Sequence, residues 1–293
     1  MWPVSPRIAL ATCEELPDLD PDDQPLVELF HKAGIEAMPA VWSDPTIQWS
    51  GFDYIIIRNT WDYTNRLGEF LSWAKMHGSR LKNSYDTVLW NSDKMYLNEL
   101  ALAGFPIVDT QFICDRAGTW ALPLSGDFVV KPTISAGSKD TMRFPSSDPH
   151  AQRNAHDLIG RIVAQGKAAM VQPYVATVDE IGETALLFIS GEYSHSVRKG
   201  PLLAPNTKAH LEHGLFLKED ISPRLPRCDQ RELATALLNF VIERFDTPLY
   251  ARVDLLDDRN GEPVILELEL VEPSMFFQTT PDSAQQFVKT FTR

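Results

Sequence analysis

The sequence predicts an α/β protein made of α+β lobes, and three observations carry that expectation. From Arg7 to Gly78, strand-like and helix-like segments alternate, the order that builds a parallel sheet with crossover helices. Within it the run Tyr54-Ile55-Ile56-Ile57 is apolar throughout, as strands covered on both faces are. Near the other end, Tyr250–Phe277 reads as two strands joined at Asn260-Gly261. That dipeptide is a strong hairpin signal, because a type I′ turn needs positive φ at both central positions.

The elements follow in order. Arg7–Thr12 (RIALAT) is the first expected strand, and Pro25–Ala33 a short helix ending at Gly34. Ile35–Trp42 and Asp53–Arg58 are the next strands, and Leu67–His77 a helix stopped by Gly78. Ligands of such sheets bind beyond the carboxyl ends of the strands. Two loops fall there, Thr12-Cys13-Glu14-Glu15 and Asn59-Thr60-Trp61-Asp62-Tyr63. Arg58, Asn59 and Asp62 are therefore candidates to hold the carboxylate or amine of a small substrate, with a plain surface charge as the alternative for Arg58. Cys13 lies on the first loop, but no sequence cue supplies a base to activate it.

A helix is expected over Ser92–Ala103, capped by Ser92 and closed by Gly104. Lys94 falls at its start, where a cation is mildly unfavourable unless an anionic ligand is present; an exposed lysine is the commoner explanation. Asp127–Lys131 is a strand that delivers Lys131 to the small-residue loop Pro132–Lys139. Gly137 and the serines around it let backbone N–H groups approach a phosphate, and Lys131 would meet it as a point charge. A mobile surface loop fits the same residues equally well. Neither GxxxxGK[ST] nor GxGxxG is present.

Thr141–Phe144 is the return strand, His156–Ala164 a helix and Ala168–Gln172 a strand. At its end VQPYVA (Val171–Ala176) offers backbone groups to an adenine edge, or is an ordinary edge strand stopped by Pro173. Thr184–Ser190 and Glu192–Val197 form a hairpin about Gly191, Asp229–Phe245 a long helix, and Asp282–Phe291 a helical tail. Pro201–Pro226 receives no assignment. Its His210 and His213 have a ligand-like spacing without any further zinc signature. Trp61, Phe276 and Phe277 read as packing residues.

Centring the last hairpin on Asn260-Gly261 pairs Asp254 with Glu267, Arg252 with Glu269, Val253 with Leu268 and Leu255 with Leu266. The charged four then share one face and the apolar four the other. Two carboxylates come to lie roughly 5 Å apart at Cβ, an arrangement that destabilises a ladder. A divalent cation removes that penalty, and hard oxygen ligands suit Mg²⁺. A solvated hairpin with hydrated charges is the alternative, and it leaves that opposition unexplained.

Composition narrows the classes. At 293 residues, about two domains or one core with lobes are expected. A net charge of −13 argues against a general nucleic-acid or membrane-surface binder. Three scattered cysteines without a CxxC fit a reducing compartment, and no basic n-region or long apolar run suggests a signal peptide or membrane span. A cytoplasmic protein is the expectation; oligomeric state stays open, a homo-oligomer included.

Taken in order, these features resemble the ATP-grasp superfamily of carboxylate–amine ligases, which includes D-alanine–D-alanine ligase and glutathione synthetase. They are a parallel-sheet lobe, Lys94, Lys131 before a Ser/Gly loop, Gln172–Val175, Glu183, Arg198-Lys199, and RVD…ELE; the likeness is clearest from Ser92 to Phe277. KGPLL, YARVDL and LELELVEPS look most like a subgroup that contains D-cycloserine synthetase, whose reaction closes a ring within O-ureido-D-serine. The resemblance implies an ATP-grasp fold with an N-terminal substrate lobe (1–90), a central lid lobe (91–190) and a C-terminal mixed-sheet lobe for metal and phosphate (191–293). It implies ATP and Mg²⁺ as cofactors. Lys94 and Lys131 would contact phosphates, Ser135, Gly137 and Ser138 would form the lid loop, and Gln172, Tyr174 and Val175 would line the adenine hinge. Glu183 would hold ribose, with Glu180 competing. Asp254, Glu267 and Glu269 would bind metal, and Arg252 and Lys199 are the catalytic candidates. Many members have Asn at the Glu269 position, so the site here gains a negative charge. A phosphotransferase on the same scaffold and a non-catalytic nucleotide-binding module remain as alternatives.

Overall fold

The computed structural model describes residues 5–115, 122–123, 126–203, 214–216, 219–280 and 282–292. Three sheets organise it. The first contains β1 (Arg7–Thr12), β2 (Glu36–Val41), β3 (Tyr54–Asn59) and β4 (Leu81–Lys82), all parallel, in the order β2-β1-β3-β4. α1 (Pro25–Lys32) and α2 (Leu67–Met76) make the crossovers. β1 and β3 lie in the middle, which is why Ile8–Ala11 and Ile55–Ile57 are wholly buried.

The helix expected at Ser92–Ala103 starts later, as α4 (Tyr96–Leu102), without a side-chain cap, and a separate helix, α3 (Tyr85–Asn91), precedes it. Ser84 caps α3, accepting the Thr87 N–H at 3.3 Å. Ser92 instead donates its hydroxyl to Leu89 O and ends α3. Lys94 thus occupies a break between helices. Its N–H reaches Thr133 O at 3.0 Å, tying it to the phosphate-loop candidate. Gly104, at φ +90°, closes α4 as expected.

The second sheet contains β5 (Gln111–Ile113), β6 (Phe128–Pro132), β7 (Met142–Phe144) and β8 (Ala169–Pro173), in the order β5-β8-β6-β7 and antiparallel. α5 (Ala151–Ala164) covers it through Ala155, Leu158, Ile159 and Ile162. β8 is an inner strand, so Val171–Ala176 is no edge strand stopped by proline.

After a single turn of helix, α6 (Val178–Ile181), come β9 (Glu183–Ile189), β10 (Glu192–Lys199), β11 (Ile221–Pro223), β12 (Tyr250–Asp257) and β13 (Pro263–Glu269). Their order is β11-β10-β9-β12-β13 with antiparallel pairings, and a parallel bridge from Ile107 to Ile265 on the β13 edge gives the sheet its mixed character. β9 is its central strand, so the expected boundary at 190 cuts a sheet. α7 (Cys228–Arg244) and α4 pack on one face against Leu186, Phe188, Val253 and Leu268. On the other, Leu187, Ile189 and Tyr250 share a core with Ile8, Leu10 and Phe30 of the first sheet's layer and with Phe287 of α8 (Ser283–Lys289). His210 and His213 lie outside the described residues.

The two hairpin turns exchange their expected roles. Ser190 and Gly191 both have positive φ, 50° and 82°, and link the paired residues Ile189 and Glu192; this is the type I′ turn. At the last hairpin Gly261 is at φ +82° and Asn260 is not among the positive-φ residues. The loop there has three residues, Arg259 to Gly261, closed by Asp258, whose N–H donates to Glu262 O. This shifts the pairing by one, so Leu255 faces Ile265 rather than Leu266. A bulge between Asp254 and Leu255 then cancels the shift. Beyond it Asp254 faces Glu267 and Arg252 faces Glu269, as the sequence predicts.

Candidate active site

A cavity of about 680 Å³ opens where the three sheets meet. Its floor is the charged face of β12 and β13. Strand alternation delivers Arg252 and Asp254 from one strand and Glu267 and Glu269 from the other, while Val253 and Leu268 point into the core behind. Lys94 enters from the break before α4, Lys131 from β6, and Glu183 and Lys199 from the paired ends of β9 and β10. All eight of these side chains border the cavity.

The opposed carboxylates are held by cations. Arg252 Nε lies 2.8 Å from Asp254 Oδ1, and its other arm pairs with Glu269. Lys199 Nζ is 2.7 Å from Glu183 and 3.1 Å from Asp254, and reaches Glu219 at 3.4 Å. Lys94 Nζ is 2.9 Å from Glu267 and donates to Ser135 O at 2.6 Å. Lys131 is as buried as these but makes no ion pair within 4.0 Å among the described residues. The additional charge that Glu269 brings, compared with an asparagine, is therefore met by Arg252.

Burial and charge act in opposition throughout. Burial pushes Asp254 upward, but Arg252 and Lys199 outweigh it and hold the carboxyl well below its ordinary range. Burial wins at Glu269, raised to about 7 against Arg252, and at Glu183, raised to about 8 against Lys199. It also lowers the ammonium of Lys131, against the attraction of Glu267. Lys94 stays raised because Glu267 outweighs its burial.

Among the described residues, no three His, Cys, Asp or Glu side chains converge closely enough to hold a metal by themselves. The donor set nonetheless fits Mg²⁺, which takes one or two carboxylates and completes its shell with water and phosphate oxygens. Asp254 and Glu267, opposed across the ladder, supply those two; Glu269 is adjacent.

The lid-loop and hinge candidates border the same cavity: Ser135, Gly137 and Ser138 on one side, Gln172, Tyr174 and Val175 on another. Ser138 and Gly137 have φ of 60° and 58°, the left-handed conformation that a tight loop requires. The loop rests on Phe216, whose ring packs edge-on against Trp61 with centroids 5.0 Å apart. In the hinge, the Gln172 amide is taken up by Thr110 and the Tyr174 N–H by Asp127 O. Glu183 lies on the cavity wall, whereas Glu180 is exposed on α6 and does not reach it.

Arg58, Asn59 and Asp62 require correction. They follow β3 as predicted, but none borders the cavity. Arg58 is wholly buried, with Nε and Nη2 on Asp23 at 3.1 and 3.2 Å and a further bond from Nη2 to Pro273 O at 2.8 Å. Asn59 donates to the same Asp23, and Asp62 accepts from Trp42 and Arg66. Of the three, Arg58 reaches the last lobe, through Pro273 O, while Asn59 and Asp62 are held within the first. Cys13 is also buried, and burial, with Asp62 and Glu15, pushes its thiol up to about 12, the state of an unreactive side chain.

Other residues reach the cavity without having been expected there. Trp61 and Phe276 pack as predicted and also border the cavity. Glu219, Glu272 and Tyr63 do so too. Glu272 is buried beyond the end of β13, beside Tyr63; burial, reinforced by Glu269, pushes its carboxyl up to about 8. The sequence signal was an acidic residue between strand and proline in VEPS, with no ladder partner to explain it.

Comparison with known proteins places this geometry. The family described as "D-cycloserine synthetase DcsG, N-terminal domain" matches residues 8–83. The cycloserine biosynthesis protein DcsG of Streptomyces lavendulae is 34% identical over 297 residues, covering 96% of each chain. The crystal structure of D-cycloserine synthetase DcsG superposes with a TM-score of 0.85, at 32% identity and 98% coverage of both chains. D-alanine–D-alanine ligase from Bacillus anthracis superposes at 0.63 with 13% identity, covering 98% of this chain and 97% of its own; it speaks for the fold alone. The fold is that of the ATP-grasp ligases.

Proposed function

The chain belongs to the DcsG family of D-cycloserine synthetases, and on that premise we propose that it is an ATP- and Mg²⁺-dependent ligase of antibiotic biosynthesis. Its substrate is an amino-acid-like carboxylate, activated as an acyl phosphate and then attacked by nitrogen. Ring closure within O-ureido-D-serine is the specific reaction we assign, and the partner is this small molecule rather than nucleic acid or membrane. Among the described residues no helix is long and apolar enough to cross a membrane.

One observation carries the reading. Four buried cationic side chains, Lys94, Lys131, Lys199 and Arg252, meet the opposed pair Asp254 and Glu267 around one cavity. Phosphoryl transfer to a carboxylate needs little covalent help from a protein. It needs positioning and neutralisation of charge on the moving phosphoryl group. In this reading Lys131 takes the nucleotide's phosphate as its missing counter-ion, and Lys94 can turn from Ser135 O to the same phosphates. Arg252 stands at the acyl end. Asp254 and Glu267 would hold Mg²⁺, which would supply charge neutralisation at the phosphates. Trp61, Phe216 and the lid loop exclude water, since hydrolysis of an acyl phosphate wastes ATP. Glu183 is assigned to ribose and Gln172–Val175 to adenine.

The test is Mg²⁺-dependent ADP release by the purified protein. Amino acids of both hands, dipeptide-forming pairs and O-ureido-D-serine are the substrates, with Asp254→Asn as control. Release that requires one substrate, yields a new amide or ring by mass spectrometry and disappears in the variant is the expected result. A stable phosphorylated product would make the protein a phosphotransferase. Tight nucleotide binding without release for any of them would make it a binding module.

A further inference from the structure

The carboxylates around the cavity are not alike. Asp254, Glu267, Glu269, Glu183 and Glu219 each have a lysine or arginine nitrogen within 4.0 Å. Glu272 borders the same cavity, is only 8% exposed, and has no such cation among the described residues. Asp22 also lines the cavity without an ion pair, but it accepts the N–H groups of Phe277 and Gln278. Beside Glu272 stands Tyr63, whose one hydroxyl could fill at most one of roughly four acceptor positions on a carboxylate. A buried carboxylate without a counter-ion is costly, so proteins rarely keep one. The neighbouring charge that acts on it most is Glu269, which is negative and deepens the deficit. This corner of the cavity can take one positive charge from a ligand.

We propose that Glu272 binds the ammonium group of the substrate and makes a free amine a requirement of the site. The inference rests on the ligase reading and deepens it. An α-amino acid carries its ammonium on the carbon next to the carboxylate. Arg252 holds the acyl end and is ion-paired to Glu269, the neighbour of Glu272. A zwitterion in this cavity would turn its carboxylate toward Arg252 and its ammonium toward Glu272. Trp61 fixes the backbone by donating its indole N–H to Glu272 O at 3.0 Å, and Tyr63 stands beside the carboxylate. A substrate lacking the amine would leave Glu272 buried and unpaired, and the site would reject it.

The experiment compares wild type with Glu272→Gln, which keeps size and can still accept from Tyr63, and with Tyr63→Phe. Each amino acid of the ADP-release panel is paired with its deamino counterpart, so O-ureido-D-serine is set against 3-(ureidooxy)propanoate. In Glu272→Gln we expect KM for the active amino substrate to rise by about 100-fold or more, with Mg-ATP affinity within about twofold of wild type. Tyr63→Phe should raise the same KM by a smaller factor. The deamino compound should be poor, and equally so, in wild type and Glu272→Gln. Unchanged KM in Glu272→Gln overturns the proposal, as does a fall in kcat alone, which would make Glu272 a proton-transfer group. Good turnover of the deamino acid by wild type also overturns it and leaves the ligase standing. A loss of Mg-ATP affinity and melting temperature without a change in KM would reduce Glu272 to a structural part. Absence of ADP release with every compound removes the ligase reading and this inference with it.

Discussion

Lys131 and Glu272 are complementary residues: among the described residues, a buried lysine without an ion pair and a buried carboxylate without a cation border one cavity. Each costs the unliganded fold something that a ligand returns. Lys131→Met should leave the melting temperature unchanged or higher, because it removes an ammonium that burial disfavours. Its Mg-ATP affinity should fall at least about tenfold, the equivalent of about 1.4 kcal/mol, when measured by calorimetry. For Glu272 the consequence is a pH dependence. Its carboxyl titrates at about 8 in the fold against an ordinary 4.5. Between those values the folded chain keeps a proton that the unfolded chain has released, so stability falls as pH rises through that window. The melting-temperature gain of Glu272→Gln over wild type should be near zero below pH 4.5 and largest at and above about pH 8. Thermal unfolding across that range checks it, and a gain independent of pH would refute it. Asp254 has the opposite sign. Arg252 and Lys199 hold it below its ordinary value, so its contribution is lost as pH falls.

At the scale of elements, the lid loop and the last hairpin show how backbone geometry is set by contacts. Gly137 has a φ of 58°, and a Cβ there would come 2.5 Å from Phe216 Cβ and 2.6 Å from Leu215 O. Gly137→Ala must therefore lift the loop off Phe216. Because the loop tip is not part of a sheet, the melting temperature should change little, while Mg-ATP KM should rise by about tenfold or more. ADP release without product should increase as water enters. An unchanged KM would show that the loop does not close on the nucleotide. In the hairpin, alternation and pairing arithmetic were sufficient to place Asp254 opposite Glu267, because a register slip would bury every charge on that face. The local turn was not legible. Asp258 accepts the N–H groups of Asn260 and Glu262, and that local bonding selected a three-residue loop over the tighter turn. The bulge at Asp254/Leu255 repairs the register, so the site tolerated an error in the turn.

At the scale of the molecule, the N-terminal and C-terminal lobes are joined by buried polar contacts. Arg58 links Asp23 to Pro273 O beneath the cavity, with its guanidinium 5.2 Å from the Tyr250 ring. Asn83 donates to Tyr250 O and Leu270 O from the other side. Arg58→Met leaves Asp23 buried without its partner, and should cost about 3–5 kcal/mol in chemical denaturation. A loss under about 1 kcal/mol, the range of surface pairs, would mean that this contact is not a joint. The sequence alone determined the longer strands and helices, the parallel first sheet and the charged face of the last hairpin, but not the short elements β4, α3, β5, α6 and β11. Periodicity and ladder pairing are local, and each can be counted along the chain. It also supplied the order of lysines and carboxylates that marks the family. Only the tertiary structure decided which charges already have partners. Arg58 meets Asp23 and Pro273 across long stretches of chain, and Glu272 lies beyond its strand beside Tyr63 of another lobe. Whether a charge is consumed by the protein or left for a ligand depends on such distant neighbours, and no local pattern records them.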